Sequence, residues 1–208
     1  MHWLRRIRRG SPREAASAPP GQETPGSIER SAPGIAALFS GLREDGSHTV
    51  LDMGAGSERS FALYSLFARR IRFADLLKGP PPQGGAWAAA LRDMPPPQDG
   101  LYDVVMAWNL LDRLNPAGRL VLVERLAQLT TLGARLYVLV DASGEPNPRP
   151  QAFTLLGTDR VAQEPVGPPH PAYPQLLPAE VERLLRPFEV VQAFTLRRGF
   201  REYVAFRR

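Results

Sequence analysis

Apolar residues Ile35, Leu38, Phe39 and Leu42 follow an i, i+3, i+4, i+7 spacing, which predicts a helix with one buried stripe. "HTVLDM" (48–53) is a short apolar run and predicts a buried strand. "RSFALYSLFARR" (59–70) carries Phe61, Leu63, Tyr64, Leu66 and Phe67, enough apolar surface for a helix packed on a sheet. "IRFAD" (71–75) predicts a second strand that closes on an acid, and "YDVVMAW" (102–108) and "ARLYVLVDA" (134–142) predict two more. Between these last two, "NPAGRLVLVERLAQLTT" (115–131) predicts a helix begun by Pro116, with Leu120, Val123, Leu126 and Leu129 on its apolar face. "AWAAALRD" (86–93) predicts a weak helix, and "KGPPPQGG" (78–85) a surface connection.

The C-terminal third reads differently. Residues 143–177 form a long proline-rich segment; a stretch of that length inside a compact domain tends to be functional, here as a lid or substrate segment. Within it, "AFTLLGTDRVAQ" (152–163) predicts a small hairpin around Gly157. "LPAEVERLLRPF" (177–188) predicts a helix, and the remaining residues two β runs joined at Arg198-Gly199. Strands alternating with helices imply parallel pairing. The expected fold is therefore α/β: a three-layer, Rossmann-like, mostly parallel sheet that ends in an antiparallel β-hairpin. Residues 1–30, rich in Arg and then in Ser, Pro, Ala and Gly, read as a disordered tail, and residues 31–208 as one domain.

Charge changes little in this picture. The net charge is +5, but "MHWLRRIRRGSPRE" (1–14) alone holds five arginines and one glutamate, a net +4. The folded part is close to neutral, so the sequence argues against a nucleic-acid partner for it. Trp3, Leu4 and Ile7 among the arginines allow weak contact of residues 1–9 with an anionic membrane surface. No run approaches the ~20 apolar residues of a membrane-spanning helix, and no secretory signal follows the arginines, so a soluble cytoplasmic protein is expected. The absence of cysteine excludes disulfides, thiolate metal sites and a cysteine nucleophile. Three scattered histidines do not suggest a metal site.

The candidate chemistry lies in "TVLDMGAGSERS" (49–60). An apolar run ends in Asp52, and Gly54 and Gly56 follow, allowing a sharp turn and close approach to a ligand. Amides at the start of the following helix would face a polar or anionic group. A dinucleotide-binding loop would require a third glycine where Arg59 stands. Val50-Leu51-Asp52-Met53-Gly54-Ala55-Gly56, the acid Asp75 19 residues after Gly56, "MPPPQDGLYDVVMAW" and the terminal hairpin together resemble the class I S-adenosylmethionine-dependent methyltransferases. The likeness covers roughly residues 34–208, and "DVVMAWNLLDRL" with the "LRRGFREYVAF" ending suggests a bacterial subfamily.

This resemblance implies S-adenosylmethionine as cofactor, with Asp52, Gly54, Gly56 and Ser57 in its loop and Asp75 on the ribose hydroxyls. It further implies an adenine contact near Asp93, and Trp108 and Asn109 beside the donor, with Asp112 at the same sheet edge. Trp108 is equally readable as core packing. No catalytic acid or base stands out, although His170 and Tyr173 lie in the segment that could cover the site; methyl transfer can proceed by alignment alone. Glu58 stands where the family often has glycine. Facing the pocket it would repel the donor carboxylate, and facing outward it would favour the helix start. Three functions follow: methyl transfer to a small molecule or protein, a non-catalytic methyltransferase-like ligand-binding or interaction domain, and nucleic-acid methylation using the tail as a tether.

Overall fold

The computed structural model of the chain describes residues 27–76, 91, 100–144, 149–167, 169 and 173–208. Its strands are β1 (Ile28–Ser31), β2 (His48–Asp52), β3 (Ala68–Phe73), β4 (Tyr102–Met106), β5 (Thr130–Asp141), β6 (Gln151–Leu155), β7 (Arg160–Pro165), β8 (Phe188–Thr195) and β9 (Phe200–Arg207). The helices are α1 (Pro33–Phe39), α2 (Glu58–Tyr64), α3 (Pro116–Leu129) and α4 (Pro178–Leu184).

Six strands form the main sheet in the order β3-β2-β4-β5-β9-β8. β3, β2, β4 and β5 are parallel, while β9 runs antiparallel to both β5 and β8. The chain leaves β2 for β3 on one side, then crosses to β4 on the other. The strand order therefore reverses between β2 and β4, the position where open α/β sheets characteristically take ligands.

Both faces of the sheet are buried, which is why its central strands read as continuous apolar runs. Val50, Val104, Met106, Tyr137, Leu139 and Val204 pack with Ile35 and Leu38 of α1 and Tyr64 of α2. Their alternating neighbours Leu51, Val105, Leu136, Val138, Val140 and Tyr203 pack with α3 residues Leu122, Val123 and Leu126 and with Val181 of α4. This is the expected three-layer arrangement, and the antiparallel ending is present as read.

A second sheet, β1-β7-β6, is antiparallel throughout. Its β6–β7 pair is the small hairpin expected around Gly157. Its contacts with the body include Leu155 N–H donating to Ser60 Oγ at 3.0 Å, Ala32 N–H donating to the Asp159 carbonyl at 2.7 Å, and Phe153 stacking on Trp108. Arg30 of β1 reaches Glu202 at 3.1 Å. Glu202 is fully buried and also accepts from Gly34 N–H at 2.6 Å and the Tyr137 hydroxyl at 2.8 Å. A buried carboxylate with three donors, one of them cationic, offsets its desolvation.

Two boundaries are corrected. The last residues of the segment expected as tail are not tail: Ile28–Ser31 pairs with Arg160–Gln163 and contributes Arg30 to the Glu202 cluster. The helix expected over 59–70 stops at Tyr64, because Ala68 already pairs with His48 as β3 begins. Phe61 and Leu66, counted as packing residues, are about half exposed; Tyr64 and Phe67 supply the contact instead. Residues 1–26 of the tail, the connection at 78–85, Asp93 and His170 lie outside the described residues, as does the helix expected at 86–93 apart from Leu91.

Candidate functional site

Asp52 ends β2, and hydrogen bonds hold it between the neighbouring strand ends. Met53 N–H donates to the Met106 carbonyl of β4 at 2.9 Å, and Ala74 N–H donates to the Asp52 carbonyl at 2.8 Å. The second bond sets Asp75 beside Asp52, close enough that its charge helps raise the Asp52 pKa. The two predicted acids therefore meet at the glycine loop. Asp112, after β4, accepts from Asp141 N–H at the end of β5 at 2.9 Å. Four strand ends thus bring Asp75, Asp52, Asp112 and Asp141 to one edge of the sheet, with the Arg113 charge beside Asp112 and Asp141.

Three donors surround the Asp52 carboxylate, which is 1% exposed. Trp108 Nε1–H donates to Oδ1 at 2.6 Å, Gly54 N–H to the same oxygen at 2.8 Å, and the Tyr64 hydroxyl to Oδ2 at 2.7 Å. Burial nevertheless dominates and pushes its pKa up to about 6, with the three hydrogen bonds opposing it. Burial also raises Asp112 to about 7. The Tyr64 hydroxyl is pushed well above its usual range, by burial first and then by the Asp52 charge.

Trp108 has φ +47°, the only positive value at a non-glycine among the described residues. Such a conformation is strained for a bulky side chain and is held by its surroundings. Here the indole is anchored on Asp52, stacked on Phe153 at 4.8 Å between centroids and edge-on to Tyr137 at 5.6 Å. The neighbouring Asn109 is 2% exposed, and its Oδ1 has no partner among the described residues. A buried acceptor left unpaired is costly to the fold.

The glycines serve the protein's own packing. A Cβ on Gly54 would lie 2.9 Å from the Trp108 ring, and one on Gly56 would lie 3.1 Å from the Phe73 ring. Ser57 caps α2, accepting from Ser60 N–H at 3.1 Å and donating to Ser60 Oγ at 2.9 Å. Glu58 is exposed in the first turn of that helix, the outward placement that suits the helix start. Sequence reasoning missed Tyr64 and Phe153 as partners of this site, and also Asp141. An acid closing a strand, the signal that marked Asp75, marks Asp141 equally.

No protein-family model and no curated protein matches this sequence. Solved structures do. One is a 1,6-didemethyltoxoflavin-N1-methyltransferase from Burkholderia thailandensis, crystallised with 1,6-didemethyltoxoflavin and S-adenosylhomocysteine. It superposes with a TM-score of 0.53 at 19% identity over 84% of this chain and 76% of that one. An S-adenosylmethionine-dependent methyltransferase from Mesorhizobium loti gives 0.51 at 13% identity, over 84% and 96%. The CcbJ methyltransferase from Streptomyces caelestis gives 0.50 at 15% identity, over 84% and 94%.

The fold is that of the class I methyltransferases.

In this methyltransferase fold the reversal point between β2 and β4 is also where the acids and the unpaired Asn109 collect. Among the described residues no helix is long and apolar enough to cross a membrane.

Proposed function

We propose that the chain binds S-adenosylmethionine at the Gly54–Gly56 loop and transfers its methyl group to a small-molecule acceptor. One observation carries the reading: Asp52 and Asp75 lie at adjacent strand ends beside a glycine loop, and Asn109, its Oδ1 unpaired among the described residues, follows β4 at the strand-order reversal. Asp75 would accept from ribose hydroxyls, and Asn109 Oδ1 would accept an N–H of the donor or acceptor. Gly54 and Gly56 keep the backbone open to both. The acidic strand ends suit a ligand that carries positive charge. When bound, the donor supplies an electrophilic methyl group on a sulfonium, and the residues around it need only align the nucleophile with that group. A small-molecule acceptor is supported by the Burkholderia enzyme, whose structure holds one.

Calorimetry with S-adenosylmethionine and S-adenosylhomocysteine tests this. Both should bind the wild type, and Asp75→Ala and Asn109→Leu should each weaken them about tenfold. Absence of heat with either at millimolar concentration would overturn the proposal.

A second reading, a non-catalytic domain, is favoured by the state of Asp52. Its oxygens are engaged by Trp108, Gly54 and Tyr64, and the indole lies against Gly54. If the indole closes the site, Trp108→Phe should bind S-adenosylhomocysteine where the wild type does not.

A further inference from the structure

One strand from a distant part of the chain, β6, bears on both ends of the glycine loop, residues 53–57. Phe153 and Leu155, alternate residues of that strand, make the two contacts. Phe153 is buried and lies flat on the Trp108 indole, with 4.8 Å between ring centroids and 3° between planes. The indole in turn lies against the first glycine: a Cβ on Gly54 would be 2.9 Å from both its Cδ1 and its Nε1. The indole N–H and the Gly54 N–H share Asp52 Oδ1, at 2.6 and 2.8 Å. The start of the loop is thereby set by the position of one ring, and Phe153 and Tyr137 hold that ring.

At the other end, Leu155 N–H donates to Ser60 Oγ at 3.0 Å. β6 is an outer strand of the small sheet, which leaves the N–H groups of its free edge available to α2. Ser60 Oγ also accepts from the Ser57 hydroxyl at 2.9 Å, and Ser57 Oγ accepts from Ser60 N–H at 3.1 Å, the bond that caps α2. The last loop residue is therefore tied to β6 through two hydroxyls. The far side of the small sheet is fixed independently: β1 pairs with β7, and Arg30 reaches buried Glu202 at 3.1 Å. A loop with two glycines has backbone freedom to lose when a ligand binds. Contacts that remove this freedom beforehand raise affinity without touching the ligand.

We propose that β6 splints the glycine loop for the methyl donor, Phe153 acting through Trp108 and Asp52 as a positioning residue and Leu155 acting through Ser60. The inference rests on donor binding at Gly54–Gly56, and gives the segment between β5 and α4 a share in that site without a contact to the ligand. The backbone at Trp108 supports it. A tryptophan at φ +47° depends on its surroundings, so removal of the Phe153 ring loosens the indole and, with it, the Asp52–Gly54 bond.

The test is calorimetry of the full chain with S-adenosylhomocysteine, at a temperature where every protein is folded, on the wild type, Phe153→Leu, Phe153→Tyr, Ser60→Ala and Ile35→Val. Phe153→Leu keeps an apolar side chain but removes the stacked ring, and should weaken binding about tenfold. Phe153→Tyr restores the ring and should recover most of the loss. Ser60→Ala leaves the Ser57 cap on its backbone N–H but frees β6, and should weaken binding about fivefold. Ile35 of α1 is fully buried in the same apolar cluster, and Ile35→Val should lower the melting temperature with affinity unchanged. Affinity that follows melting temperature across the whole set would make Phe153 a core residue only and overturn the proposal. So would wild-type affinity in Phe153→Leu or in Ser60→Ala. Tighter binding in Phe153→Leu would also overturn it, since the stack would then be holding the indole in the donor's place. No heat from the wild type would overturn the donor reading itself, and the splint with it.

Discussion

Trp108 Nε1 donates a 2.6 Å hydrogen bond to the Asp52 carboxylate, from the end of β4 to the end of its neighbour β2. The bond couples the two strand ends that define the candidate site. It also explains how a tryptophan is kept at φ +47°, since a donor aimed at a buried carboxylate offsets backbone strain of order 1–3 kcal/mol. Trp108→Phe keeps a ring against Phe153 but removes the donor. Urea denaturation at pH 7.5 should show a loss of about 2 kcal/mol. A loss under about 0.5 kcal/mol would mean that the bond contributes little to the fold.

The raised acids set a pH dependence. The Asp52 pKa rises from 3.8 to about 6 on folding, chiefly through burial. The native state therefore holds this proton more tightly than the unfolded chain, and the contribution is present in full below about pH 4 and lost as pH rises through 6. Asp112, raised to about 7, extends the same trend. Asp52→Asn can keep the geometry, its carbonyl accepting from Trp108 and Gly54 and its amide donating to the Tyr64 oxygen. The difference in unfolding free energy between variant and wild type should shift in favour of Asn by up to about 3 kcal/mol between pH 4 and pH 7. Parallel stability curves for the two proteins would exclude a raised Asp52.

Gly56→Val should abolish donor binding for a reason internal to the protein. The added Cβ meets the Phe73 ring at 3.1 Å, so the ring or the loop must give by a few tenths of an ångström before any ligand arrives. Thermal melting should record a destabilisation of about 1–3 kcal/mol. Gly56→Ala combined with Phe73→Leu should recover most of the stability lost in Gly56→Ala alone. No recovery would place the cost in the loop backbone and not in the ring.

The N-terminal boundary can be located by stepwise truncation. A chain starting at Ser27 should melt within about 2 °C of the full chain, since it retains β1 and Arg30. One starting at Ala32 removes both, leaves β7 paired only with β6 and withdraws the cation from fully buried Glu202. Breaking such a pair costs about 3 kcal/mol, visible as a large fall in melting temperature. Equal melting of the two truncations would show that β1 is dispensable.

Much of this protein follows from local pattern. Val50-Leu51, Val104-Val105 and Leu136-Val138 are apolar in continuous runs because both sides of a parallel strand are covered, and such runs are visible without a structure. So are the glycine loop, the acids that close strands, and the reversed final strand, since each depends on residue type at short separation. Tertiary structure decided what is set by contacts between distant segments. Nothing near residue 28 reveals that Arg30 will meet Glu202, or near residue 153 that Phe153 will stack on Trp108. Helix α2 ends at Tyr64 although its apolar pattern continues, because pairing of β3 with β2 takes over from helical propensity at Ala68. Asp52 reads in the sequence as a ligand contact, but folding surrounds it with Trp108 and Tyr64 and raises its pKa. Burial and hydrogen-bond geometry are properties of the assembled fold, and no local stretch of sequence carries them.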